Sequence, residues 1–256
     1  MCLILIALKS HPVYKLVIAG NRDEFFDRPT VQATFWEDAP DLLAGKDLRA
    51  GGTWFGITKQ GRIAAITDYR DPVLLKSNAP SRGGLVRSFL LSRERPHAFI
   101  NGIAQKAHEY NGFNLIVGKK DEFYWYSNLV EEPRCLEPKI YGLCNHLLDT
   151  PWPKVVRGKN AFQRILTEKK YPSPEDFFSI LSDRSIADDN SLPDTGVEIE
   201  WERMLSSTFV SSQDYGTRSS TLLLVDLYDR VTFIEKVFDA DSNHTTTAKI
   251  EFQIES

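Results

Sequence analysis

Residues 3–7 are apolar at every position, and so are residues 16–19. Short apolar runs without polar alternation predict strands covered on both faces. Lys9, Ser10, His11 and Pro12 supply turn residues between them, so the two runs make a hairpin that returns the chain towards its own start. Gly20 closes the second run, and Asn21, Arg22, Asp23 and Glu24 follow as a polar loop. Phe25 to Arg28 continue irregularly, because Pro29 disfavours helix in the residue before it. Residues 53–57 and 63–67 read as a second hairpin around Lys59, Gln60 and Gly61, and residues 113–118 and 123–127 as a third around Lys119, Lys120 and Asp121.

Helical spacing appears between the hairpins. Leu85, Val86, Phe89 and Leu90 make one stripe over residues 81–91, with Ser81 as N-cap, and Phe99, Ile100, Ile103, Ala104 and Ala107 make another over 96–110. Val155, Val156, Phe162, Ile165 and Leu166 predict a helix over 152–166, with Pro153 accommodated in its first turn. Residues 174–181 predict one more. Residues 140–143, 208–212, 222–226 and 231–238 read as strands, and Ile250, Phe252 and Ile254 alternate with Glu251, Gln253 and Glu255 as a last strand with one wet face. Residues 44–52, with three glycines but no phosphate-loop spacing, read as turn sequence, and the aspartate-bearing stretch 183–196 as a surface loop without the order of a Ca²⁺ loop. Hairpins with helices gathered between them make an antiparallel α+β protein. Two stacked sheets flanked by helices would bury the first strands on both faces; a single helix-covered sheet is the other solution. No linker divides the 256 residues, which read as one domain over 1–256.

Composition narrows the partners. A net charge of -4, with no run of five like charges, argues against a nucleic-acid footprint. No apolar run approaches the ~18 residues of a membrane span, and the apolar start lacks the basic flank of a signal peptide. Three widely spaced cysteines, Cys2, Cys135 and Cys144, form no CxxC or Cys/His cluster, so the reading is a cytoplasmic chain with no metal and no resident cofactor.

Cys2 carries the candidate chemistry. Removal of Met1 would leave it with both a thiol and a free α-amine, which titrates near pKa ~7.7 to 8.0 and serves as a base without any histidine. A guanidinium stabilises a thiolate, a role open to Arg22, and Asp23 is placed to hold the amine. The alternative is an ordinary buried thiol beside a surface Arg22–Asp23 pair. Asp68, Asn145 and Arg218 also stand where apolar runs give way to polar residues.

Taken together, MCLILIA, GNRDEFFDRP, GGTWFGITKQGRIAAITDYR, GLCNHLLDTPWPKV and YGTRSSTLLLVD resemble the NRDE family, also called the Transport and Golgi organisation protein 2 family. That family is similar in fold to N-terminal nucleophile (Ntn) hydrolases, an αββα sandwich of two stacked, mainly antiparallel sheets flanked by helices. The similarity runs to the cysteine branch of choloylglycine hydrolases and penicillin V acylases. The resemblance implies Cys2 as nucleophile, Arg22 and Asp23 as its support, Asn145 as oxyanion donor and Arg218 as a late pocket arginine. Arg22 and Asp23 are adjacent where the acylase motif separates them by two residues, and Asp68 replaces an asparagine. Asn21, Asp68, Trp54 and Trp152 are the expected substrate-binding residues.

Two functions follow. One is an amidohydrolase or acyltransferase acting on a carbon–nitrogen amide bond of a small acyl substrate. The other is a non-catalytic binding protein for acyl-CoA, lipid or haem, in which Arg22, Arg218 and Lys154 pair with carboxylate or phosphate groups and Cys2 is available as a thiolate ligand.

Overall fold

Leu3, Leu5 and Ala7 point to one side of the first strand and Ile4, Ile6 and Leu8 to the other, and all six are buried. The computed structural model describes residues 1–255. Its strands are β1 (Leu3–Leu8), β2 (Tyr14–Phe25), β3 (Thr30–Trp36), β4 (Ala39–Asp47), β5 (Phe55–Thr58), β6 (Arg62–Asp68), β7 (Phe113–Lys119), β8 (Glu122–Ser127), β9 (Arg134–Cys135), β10 (Ile140–Leu143), β11 (Tyr215–Asp226), β12 (Arg230–Phe238) and β13 (His244–Gln253). Its helices are α1 (Gly83–Leu91), α2 (Pro96–Ala104), α3 (Pro153–Glu168), α4 (Pro174–Leu181) and α5 (Ile199–Leu205).

The strands form two sheets, ordered β10-β1-β2-β11-β12-β13 and β3-β4-β5-β6-β7-β8-β9, with every neighbouring pair antiparallel. Three apolar layers hold them. Ile4, Ile18, Phe55, Ile57, Ile116 and Phe233 fill the space between the sheets, where the rings of Phe55 and Phe233 stack 5.8 Å apart. Leu85, Phe89 and Ile100 of α1 and α2 cover the outer face of the second sheet. Val155, Phe162 and Phe177 of α3 and α4 cover that of the first. This is the αββα sandwich. α3 starts with Pro153 at its first position, and α4 carries a Ser173–Asp176 capping box, both ordinary helix-start chemistry.

The structure corrects several expectations. Asn21 to Glu24 are not a loop: β2 runs unbroken to Phe25, paired on one side with β1 and on the other with β11. Polar residues survive inside a sheet here because β11 sets hydroxyls against them, Ser220 donating to Asn21 Oδ1 (2.7 Å) and Thr217 to Asp23 Oδ1 (2.7 Å). Ala44 to Asp47 belong to β4, in a β3–β4 hairpin that weak alternation concealed. The helix from Pro96 ends at Ala104 and tightens into a 3₁₀ turn over Ala107–Glu109, where Asn128 Nδ2 donates to the carbonyls of Ala107, Tyr110 and Asn111. Residues 208–212 form no ladder. Their groups are taken instead by side chains and an isolated bridge, Val210 N donating to Thr217 Oγ1 and Thr208 O accepting from Asn21. Arg218 lies within β11, not ahead of it, and α5 follows a polar stretch in which no helix was foreseen.

One buried acid links the sheets. Glu235 of β12 is 1% exposed, and its Oε1 accepts from Ala33 N of β3 (2.7 Å) while Oε2 accepts from Thr221 (3.4 Å). Burial pushes its carboxyl up to about 7, against the hydrogen bonds from Ala33 and Thr221. The unfolded chain therefore releases this proton first as pH rises. Stability contributed by neutral Glu235 is complete below about pH 4.5 and falls until about pH 7, by an order of 3 kcal/mol. Glu235→Gln keeps the shape and the Ala33 bond without the charge. Urea denaturation at pH 8 should place the variant above the wild type by roughly 1–3 kcal/mol, with the difference disappearing near pH 4.5.

Candidate active site

The chain start is threaded into the sandwich. The terminal ammonium of Met1 donates to Ile66 O of β6 (3.0 Å), Cys2 N donates to Asn21 O (2.9 Å), and the Cys144 thiol donates to Cys2 O (2.8 Å). Cys2 is 7% exposed. Its Sγ lies 3.7 Å from Asp23 O and 3.8 Å from the Tyr215 hydroxyl. Met1, Cys2, Arg22, Asp23, Trp54 and Asp68 line one cleft of about 290 Å³, together with Ala79 to Gly83 and Asn111.

Arg22 is buried and does not serve the sulfur. Its guanidinium stacks 4.2 Å from the Trp54 ring centre, donates to Thr30 Oγ1 (3.4 Å) and lies 3.6 Å from Glu24. Burial, opposed by Glu24, pulls it below the usual arginine range. Asp23 is 6% exposed; Oδ1 accepts from Thr217, and the buried Oδ2 has no partner among the described residues. So Arg22 and Asp23 form no pair with each other. The wall is otherwise charge-matched, with Arg28 on Asp47 (2.6 Å) and Arg82 on Asp68 (3.0 Å).

Burial is the largest cause pushing the Cys2 thiol up to about 12. Asp23 adds to it, and the terminal ammonium and Lys154 act the other way. The expectation that Arg22 would hold Cys2 ionised is thus overturned, because the guanidinium is turned to Trp54 and Glu24. Burial also raises the Tyr215 phenol well above its usual range, with Cys2 and Asp23 as further causes.

Other expected site residues stand elsewhere. Asn21 faces away from the cleft, its Nδ2 donating to Leu181 O (2.8 Å) and Thr208 O (2.9 Å), so it anchors α4 to the sheet. Asn145 is buried next to Cys144, but one N–H of its Nδ2 donates to Asp68 O (3.2 Å), and the residue is not among those lining the cleft. Arg218 is the extra residue of a β-bulge, between Thr217 opposite Asp23 and Ser219 opposite Arg22. The bulge turns it outward to donate to the carbonyls of Phe25, Phe26 and Arg28 (2.8, 3.2 and 3.1 Å). Trp152 stacks near Arg70 (5.0 Å) and His146 (5.5 Å), outside the cleft lining. Sequence reasoning missed Tyr215, whose ring packs between Phe25 (5.1 Å) and Trp201 (5.6 Å) over the thiol; a lone tyrosine in a polar stretch carries no signal. Among the described residues no group of three or more His, Cys, Asp or Glu side chains is gathered as a metal site.

In a chain that retains Met1, iodoacetamide near pH 8 should modify exposed Cys135 first, with buried Cys2, whose thiolate fraction at that pH is on the order of 10⁻⁴, far slower. Peptide mass spectrometry over time checks this, and equal labelling of Cys2 and Cys135 would contradict the buried, protonated thiol.

Comparison with known proteins gives the relationship. The model of the family Transport and Golgi organisation 2 matches residues 1–240. The chain is 38% identical over 282 aligned positions to the Transport and Golgi organization protein 2 homolog of Bos taurus, with all of both chains covered. It is 37% identical over 278 positions to the Homo sapiens homolog, again covering all of both. A solved variant of the conjugated bile acid hydrolase of Clostridium perfringens matches with a TM-score of 0.51 at 8% identity, over 100% of this chain and 94% of that one, a likeness of fold alone. The two antiparallel sheets and their flanking helices are accordingly an Ntn-hydrolase fold. By its match along nearly the whole length, the chain belongs to the Transport and Golgi organisation 2 family.

Proposed function

We propose that this chain is an N-terminal-cysteine amidohydrolase or acyltransferase, acting on the carbon–nitrogen amide bond of a small acyl substrate. The observation that carries the reading is the arrangement at Cys2: a thiol at the start of a central strand, lining a cleft with a buried carboxylate whose Oδ2 is unpartnered. The bile acid hydrolase that shares the fold supports the reaction class.

The chemistry requires Met1 to leave. While it is present, the nitrogen of Cys2 is a peptide nitrogen that donates to Asn21 O and has no basic lone pair. Once it is gone, the freed amine is the base and Asp23 Oδ2 accepts a hydrogen bond from it. The thiol proton passes to the amine and Sγ attacks the substrate carbonyl. The amine then protonates the leaving nitrogen as the tetrahedral adduct collapses, leaving a thioester on Cys2. Water hydrolyses the thioester or a second amine takes the acyl group, and the thiol reforms.

A second reading is favoured by the state of Cys2 with Met1 in place. A buried thiol pushed up to about 12 beside a blocked nitrogen is chemically silent, and the cleft then binds an acyl-CoA, lipid or haem ligand without turnover.

N-terminal mass spectrometry of protein from its native host separates the two. The enzyme reading expects a chain beginning at Cys2, an acyl adduct on that residue after mixing with activated acyl amides, and loss of turnover by about 10⁴-fold or more in Cys2→Ala. Uniform retention of Met1 with no adduct would leave only the binding reading.

A further inference from the structure

The site lacks the cation that a thiolate needs from the side chain first suspected of supplying it, and the structure offers another. Lys154 is 1% exposed, and its Nζ is buried with no hydrogen-bond partner among the described residues. It occupies the second position of α3, where the helix's own N-terminal partial charge repels a cation. An unpaired buried ammonium in that place is costly and calls for a compensating anion.

The path of α3 shows where that ammonium lies. The carbonyl of Lys169, just past the helix end, meets His11 Nε2 (3.0 Å) in the β1–β2 turn, and Gly158 sits over Leu3 and Leu5. The helix therefore runs from the start of β1 towards its end. Lys154, one turn before Gly158 on the same face, overlies the first residues of β1, and helical side chains lean further towards the helix start. This is the end at which Cys2 stands, with Cys144 from β10 bonded to its carbonyl.

We propose that Lys154 is the positioning cation of the Cys2 site, its buried ammonium placed to stabilise the thiolate that forms when Cys2 gives up its proton. The groups acting on that sulfur are Asp23 from β2, Asp68 from β6, Tyr215 from β11, the ammonium of Met1 and Lys154 from α3. Of the side chains among them, Lys154 is the sole cation, and it favours ionisation. Lys154 and Asp23 Oδ2 are both without partners and make no ion pair with each other, so the thiolate and the amine proton can each take one of them. On ionisation the thiol proton goes to the α-amine of a chain that has lost Met1, and to solvent base otherwise. The role rests on the nucleophile reading of Cys2, but its test needs no turnover.

The test is the pH profile of Cys2 alkylation by iodoacetamide in the full-length protein, read by peptide mass spectrometry, for wild type, Lys154→Met, Lys154→Gln and Lys154→Arg. Lys154→Met and Lys154→Gln should slow Cys2 about tenfold between about pH 7 and 9, as for a one-unit rise in thiol pKa. Lys154→Arg should stay within about twofold of wild type, and Cys135 should not change. Thermal denaturation should show Lys154→Met at a higher Tm, because an unpaired buried charge has been removed. A Cys2 profile unmoved in Lys154→Met and Lys154→Gln, or an arginine variant as slow as the methionine one, overturns the proposal. A protein with no amidase activity would still return either answer.

Discussion

Burial of β1 on both faces is the constraint on which the rest of the structure depends. A strand with α3 and α4 on one side and a second sheet on the other has no contact with water along its length, so its polar groups must be met by protein. The ladder to β2 and β10 does this for the backbone. Where the ladder ends, at Cys2 and Met1, the carbonyls of Asn21 and Ile66 and the thiol of Cys144 take over. A chain start held this firmly is delivered to one point in the molecule, the rim between the sheets, and that point is the cleft.

The same burial sets the electrostatics. Arg22 and Asp23 are neighbours in a strand and so face opposite ways, one to Trp54 and Glu24, the other to Thr217. The bulge at Arg218 lets Thr217 and Ser219 both meet β2 residues while the arginine itself is expelled to carbonyls outside the cleft. Around the thiol, loss of water is consequently the first influence. Desolvation and Asp23 outweigh the terminal ammonium and Lys154, and the sulfur rests protonated. Asp23 Oδ2 and Lys154 Nζ are both buried without a hydrogen-bond partner among the described residues.

Closure over Cys2 comes from segments far away in sequence. Glu202 of α5 is 3% exposed and pairs with Arg70 (2.7 Å), just past the end of β6. It also accepts from Thr195, so the polar stretch before α5 is pinned to the end of a core strand. With α5 fixed, Trp201 rests on Tyr215 and Tyr215 on the thiol. A buried pair of this kind is expensive to break from one side only, which suits it to fixing a chain segment that has little apolar surface of its own.

Periodicity by itself determined the apolar hairpins, the helical stripes and the doubly covered first strand, because burial on a face repeats every two or every 3.6 residues and leaves a mark in sequence. Motifs taken together determined the family and, through it, the αββα arrangement. Tertiary structure alone decided that residues 21–24 are strand, since their polar side chains are tolerable only beside the hydroxyls of β11, nearly two hundred residues away. It also decided which candidates meet Cys2. Arg22, Asp23, Trp54 and Asp68 line its cleft, whereas Asn21, Trp152 and Arg218 are spent on other partners and Asn145 is tied to Asp68 O outside the lining. Side-chain direction follows from strand parity, bulges and helix placement, and none of these can be read from residue type. Lys154 shows the point most plainly: on paper it is one more lysine at the start of an amphipathic helix, and only the packing of α3 against β1 takes it out of water.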